Sequence, residues 1–89
     1  MVQFGPNDYS VSLGKPGQGG TPEVQKAQTD MIKMALKKGI AARVEIMAPE
    51  QAKPYIDMGV QHFCMGWDDI VISQWCKTQG PALRKQLPQ

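Results

Sequence analysis

The stretch from Thr21 to Met47 constrains the fold most, because a capped amphipathic helix gives way across a glycine to a segment of strict alternation. Thr21 is a good N-cap, Pro22 suits the first helical position, Glu23 favours the positive helix end, and Gly39 stops the helix. A helix is expected over 22 to 38, burying Val24, Ala27, Met31, Met34 and Ala35 and leaving Gln25, Lys26, Asp30, Lys33 and Lys37 in water. From Ile40 to Met47 the period changes to two, with Ile40, Ala42, Val44 and Ile46 on one side and Arg43 and Glu45 on the other. A helix that runs directly into a strand in this way belongs to a βα unit.

The flanking segments repeat the alternation. Val2-Gln3-Phe4 reads as the tail of a strand that enters the breakers Gly5-Pro6-Asn7-Asp8, followed by a short Ser10 to Gly14 stretch. Lys15 to Gly20 reads as a flexible loop. Ala48-Pro49-Glu50 opens a shorter helix that ends at Gly59, with a kink expected at Pro54. Gln61 to Met65 forms a strand closed by Gly66, and Asp68 caps a last helix that reaches about Gln79 before Gly80-Pro81 interrupts it. Strands that alternate with helices pair in parallel through right-handed crossovers, in either a doubly wound sheet or a barrel.

Composition excludes several classes. The chain has 89 residues, 42% hydrophobic and 20% charged, which fits at most one globular domain with modest stability of its own. The net charge of +2 is dispersed, with Lys37-Lys38 the only basic pair before the Arg84-Lys85 tail, so no nucleic-acid partner is expected. Cys64 and Cys76 lack the spacing of a zinc site or a disulfide framework and are read as reduced and buried or half-buried. The N-terminus has neither a charged leader nor a long apolar run, so no membrane partner is expected and the cytoplasm is the expected compartment.

Asp8 is the leading candidate for chemistry, since it stands just past the C-terminal end of a strand, where α/β proteins carry catalytic and metal-binding groups. From position alone it could equally make an Asx-turn. Arg43 and Glu45 share one side of a strand and either point into a barrel or lie near helix ends. Gly14 to Gly20 lacks the spacing of a phosphate loop. His62, the single histidine, stands at the start of its strand, the wrong end for catalysis, so no nucleophile-histidine arrangement can be assembled.

The ordered motifs Phe4-Gly5-Pro6-Asn7-Asp8-Tyr9-Ser10-Val11-Ser12-Leu13-Gly14, Thr21-Pro22-Glu23-Val24-Gln25, Lys38-Gly39, Ala48-Pro49-Glu50 and Met65-Gly66-Trp67-Asp68 resemble the HpcH/HpaI aldolase family over nearly the whole chain. The resemblance implies a phosphoenolpyruvate/pyruvate-type (β/α)8 TIM barrel that makes or breaks carbon-carbon bonds through a pyruvate enolate held on a divalent metal, Mg²⁺ or Mn²⁺. It implies Asp8 as a metal ligand and Asn7 with Asp8 as the pair that approaches the substrate, pyruvate or a 4-hydroxy-2-oxo acid. Where Asn7 stands the family usually has a small residue, and where Glu45 stands it has an apolar one. The family's glutamate metal ligand, base histidine and arginine come from earlier strands, and a full barrel takes roughly 250 residues.

The expectation is therefore a partial aldolase barrel domain over 1–89, about strands six to eight with their helices, inactive alone. It should expose unpaired strand edges and an apolar barrel-facing surface and so form a homo-oligomer or pair with a complementary part. The alternative is a non-catalytic oligomerisation or complementation module derived from such a barrel.

Overall fold

A computed structural model describes residues 1–88. Three strands, β1 (Val2–Gln3), β2 (Ala42–Ile46) and β3 (His62–Met65), pair in parallel in the order β1-β2-β3. Gln3 lies level with Arg43, and Arg43 and Glu45 lie level with His62 and Cys64. The expected βα alternation is present: α1 (Pro6–Ser12) and α2 (Pro22–Lys37) join β1 to β2, α3 (Lys53–Asp57) joins β2 to β3, and α4 (Asp68–Gln86) follows β3.

The core forms where α2 and the α3 segment meet one face of β2. Ala42, Val44 and Ile46 are buried there with Ile32 of α2, Ala52 and Val60, flanked by Val2, Leu36, Tyr55, Met58 and Phe63. The buried stripe of α2 is Val24, Gln28, Ile32 and Ala35, whereas Met34 is 61% exposed and Met31 only half-buried. The expected stripe was thus rotated by part of a turn. Branched Ile32, fully enclosed, fills the groove over β2 that Met31 and Met34 were expected to fill.

Other boundaries differ for local reasons. Gly5-Pro6 does not make a simple turn, because Pro6 occupies the first position of α1, where its missing N–H costs nothing. Ser10 is buried in that helix and its hydroxyl donates to the Asn7 carbonyl at 2.7 Å. Thr21 precedes α2 but its hydroxyl donates backwards to the Gln18 carbonyl at 2.9 Å instead of capping the helix. The loop expected to be flexible is tied down: Lys15 pairs with Glu23 at 2.8 Å and the Gln25 carboxamide donates to the Gly19 carbonyl at 3.1 Å. The helix expected after Ala48 starts as a 3-10 turn, Pro49–Ala52, and becomes α-helical at Lys53, with Pro54 at the joint. Gln51 stabilises its entry by accepting from the Met47 and Ala48 amides at 2.7 and 3.1 Å.

The last helix departs most from expectation. α4 runs through Gly80 and Pro81 to Gln86, so Pro81 removes one backbone hydrogen bond without ending the helix. Trp67 is its N-cap, while Asp68 occupies the first helical position and accepts from the Asp69 amide at 2.8 Å. No residue of α4 is buried: Ile70, Val71, Ile72, Trp75 and Leu83 are all exposed, and so is Cys76, contrary to the burial expected of it, whereas Cys64 on β3 is half-buried. The radius of gyration is 17.2 Å, against about 12 Å for a compact domain of this length. Among the described residues no helix is long and apolar enough to cross a membrane.

Candidate active site

Parallel strands direct their C-terminal ends, and the loops that follow, to one edge of the sheet. Asn7 and Asp8 stand at that edge in the first turn of α1, five or fewer residues after Gln3 of β1. Both are exposed. The Asp8 carboxylate lies back over Gly5, where a Cβ would meet its Oδ2 at 2.8 Å, so the absent side chain at Gly5 is what makes room for it. No hydrogen bond engages that carboxylate among the described residues, which removes the Asx-turn reading and leaves both oxygens available to accept hydrogen bonds or ligate a cation. Among the described residues no group of three or more His, Cys, Asp or Glu gathers to hold a metal ion. Asp8 is therefore one oxygen donor, and an octahedral Mg²⁺ or Mn²⁺ shell would need further donors.

The two faces of the sheet differ in chemistry. One is covered by α2 and α3; the other carries Gln3, Arg43, Glu45, His62 and Cys64 by register. Of the two readings of Arg43 and Glu45, the structure selects the face turned away from the helices. They do not form an ion pair. The Gln3 carboxamide sits between them, donating from Nε2 to Glu45 Oε1 at 2.6 Å and accepting at Oε1 from Arg43 Nε at 2.6 Å. Sequence reasoning missed Gln3, although its distance of one residue from the strand end was a signal. The uncovered face is thus polar, contrary to the apolar barrel-facing surface expected, whereas α4 exposes Ile70, Val71, Ile72, Trp75 and Leu83. His62 is exposed at the N-terminal start of β3, away from Asp8, as its position in the sequence implied.

Between α1, α2 and the α3 segment, at the same edge as Asn7, a cleft of 570 Å³ opens. Asn7, Gln25, Gln28, Thr29 and Gln51 provide its polar lining and Tyr55 and Trp67 its aromatic lining, while Glu45 borders it from β2 with its carboxylate accepting from Gln3 on the opposite face of the sheet. Asp8 does not line it. Of the residues singled out from the sequence, Asn7 and Glu45 are brought together here, whereas Gln28 and Gln51 were not foreseen. Gln28 is only 4% exposed, and a glutamine at a helix position with core spacing was the available signal.

Comparison with known proteins agrees with the parallel α/β fold. The chain is similar to a hydroxypyruvate/pyruvate aldolase of Cupriavidus necator, 29% identical over 85 residues, covering 96% of this chain and 32% of that protein. It is also similar to a 2-keto-3-deoxy-L-rhamnonate aldolase of Escherichia coli, 35% identical over 72 residues, covering 81% of this chain and 27% of that protein. The chain thus spans about a third or less of the length of these relatives. The crystal structure of an HpcH/HpaI aldolase from Desulfitobacterium hafniense superposes on 99% of the chain and 34% of its own length, with a TM-score of 0.80 and 25% identity. The HpcH/HpaI aldolase/citrate lyase family pattern matches residues 1–73, and the chain belongs to that family.

Proposed function

We propose that this chain forms approximately strands six to eight, with their helices, of a (β/α)8 barrel that makes or cleaves carbon-carbon bonds in 4-hydroxy-2-oxo acids, with pyruvate as the enolising reactant. The observation that carries the reading is Asp8: an exposed carboxylate without hydrogen-bonded partners, in the first turn after a parallel strand. The single-sided packing of α2 and α3 and the strand order β1-β2-β3 support a sheet whose polar face turns inward in the closed barrel.

In this reading Asp8 is one ligand of a divalent metal, Mg²⁺ or Mn²⁺, and Asn7 contributes its amide and backbone to the substrate. When bound, such a metal supplies positive charge where the carboxylate and keto oxygens of pyruvate gather negative charge. Gly5 lets the Asp8 carboxylate fold close to the strand end, and Gly19, packed against Asn7, holds the α1 entrance in place. The remaining metal ligands, the base and a carboxylate-binding cation belong to other strands of the barrel, so the isolated 89-residue chain is inactive. The test is exchange of pyruvate methyl protons for deuterium, followed by NMR with Mg²⁺ or Mn²⁺. Exchange by this chain stays at the metal-only background; exchange above it that disappears in Asp8→Ala would mean that a complete site assembles from this chain alone.

A second reading, an oligomerisation or complementation module, is favoured by α4, whose Ile70, Val71, Ile72, Trp75 and Leu83 lie exposed on one helix. Sedimentation separates the two. A module forms a homo-oligomer of fixed size that ignores both Mg²⁺ and Asp8→Ala, whereas an assembled metal site responds to both.

A further inference from the structure

From Met1 to Gly20 only Ser10 and Gly19 are buried, and both meet Asn7. Ser10, fully enclosed in α1, donates its hydroxyl to the Asn7 carbonyl at 2.7 Å, which holds the plane of the Asn7–Asp8 peptide. Gly19, in the loop that follows, lies against the side chain: a Cβ there would stand 2.6 Å from Asn7 Oδ1 and 3.3 Å from the Asn7 amide nitrogen. Asn7 itself is exposed, and its carboxamide bonds to none of the described residues. An exposed amide is thus backed by the two buried residues of its neighbourhood, while its own donors and acceptor stay open.

Helix α2 holds that support in place. Gln25, near its N-terminal end, donates from Nε2 to the Gly19 carbonyl at 3.1 Å, and Glu23 pairs with Lys15 at 2.8 Å. The Lys15 amide donates in turn to the Ser10 carbonyl at 2.8 Å. Two routes from α2 therefore converge on Asn7, one through Gly19 and one through Lys15 and Ser10. Gly14 and Gly17, at φ of 73° and 79°, supply the left-handed turns that bring the loop back. The Lys15–Glu23 pair is half exposed and screened by water, so it contributes little, and the support rests on Ser10 and Gln25.

We propose that Ser10 and Gln25 are positioning residues: they fix the Asn7 peptide and the Gly19 backbone so that the Asn7 carboxamide keeps one direction at the edge where Asp8 stands. Their effect on the reaction passes through Asn7. The value of a fixed Asn7 rests on the aldolase reading, since a contact misplaced by about 1 Å can cost about 100-fold in rate. The fixing itself involves neither metal, pyruvate nor Asp8.

The test is ¹⁵N relaxation of the Asn7 side-chain amide in the full chain, without metal or pyruvate. In the unaltered chain its order parameter stays above about 0.6, the value below which a group counts as flexible. Gln25→Glu removes the donor to Gly19 and drops the order parameter below that value, whereas Gln25→Lys keeps a donor of similar reach and retains it. A role confined to the stability of α2 gives the opposite ranking, because glutamate is favoured and lysine disfavoured near a helix N-terminus. Ser10→Ala also lowers the order parameter; the signals of β2 report whether that variant stays folded, and the Gln25 variants decide the matter if it does not. An Asn7 amide already flexible in the unaltered chain, an unchanged value in Gln25→Glu, or a Gln25→Lys chain as mobile as Gln25→Glu each overturns the proposal. Because no metal enters the measurement, its failure leaves the Asp8 assignment standing, and a failed Asp8 assignment leaves the positioning of Asn7 standing.

Discussion

Gln3 and Glu45 are 42 residues apart in sequence, yet their side chains meet at 2.6 Å across β1 and β2 on the uncovered face of the sheet. Because the same carboxamide also accepts from Arg43, one neutral residue keeps an acid and a base in register without a direct ion pair. Gln3→Ala removes both hydrogen bonds and should lower stability by about 1 kcal/mol, limited by the partial exposure of the partners. Urea unfolding checks this, and Gln3→Glu keeps the acceptor for Arg43 but loses the donor to Glu45. An unchanged midpoint in Gln3→Ala would mean that the bridge contributes nothing in solution.

Gly19 and Gly20 are adjacent but should respond oppositely to alanine. At Gly19 a Cβ would meet Asn7 Oδ1 at 2.6 Å and the Pro6 carbonyl carbon at 3.2 Å, whereas at Gly20 it meets nothing within 4 Å. Gly19→Ala should cost about 1–3 kcal/mol and shift the Asn7 resonances, since backbone must move. Gly20→Ala should leave stability within about 0.5 kcal/mol or raise it slightly through the unfolded chain. Paired thermal melts with NMR spectra of both variants distinguish a packed entrance to α1 from an open loop.

Ile32 and Met34 test which face of α2 is buried. Ile32 is fully enclosed and Met34 is 61% exposed. Ile32→Ala should cost about 2–5 kcal/mol, enough to unfold a small core, while Met34→Ala should change stability by less than about 0.5 kcal/mol. Equal losses in denaturant unfolding would mean that α2 packs as the simple apolar spacing suggested.

The contrast between these two residues shows what sequence patterns can reveal. The alternation of strands and helices from Pro22 onward, the buried side of β2 and the position of Asn7 and Asp8 past a strand end were legible, because periodicity and turn chemistry act locally, but helix α1 was not. The rotation of α2 was not, since Gln28 occupies a core position that hydropathy assigns to water, and Ile32 joins the cluster with Ala42, Val44 and Ile46 only once β2 is in place. Pro6 was ambiguous because proline both breaks helices and starts them. Gly80-Pro81 read as a stop, yet one missing hydrogen bond does not end an otherwise regular helix. The polar bridge through Gln3 depended on the pairing register of two strands, which no local signal carries.

Pyruvate proton exchange in a barrel that contains this chain tests the role of Asp8 most directly. The chain is grafted in place of the matching segment of the Cupriavidus necator relative, and methyl exchange is followed by NMR with Mg²⁺ for the graft and its Asp8→Ala variant. Metal-dependent exchange is expected in the graft, with a loss of at least about 100-fold in Asp8→Ala, because a ligand to a charge-stabilising metal is removed. A folded graft whose exchange is unaffected by Asp8→Ala would contradict the assignment of Asp8, and with it the proposed role of this chain in the active site.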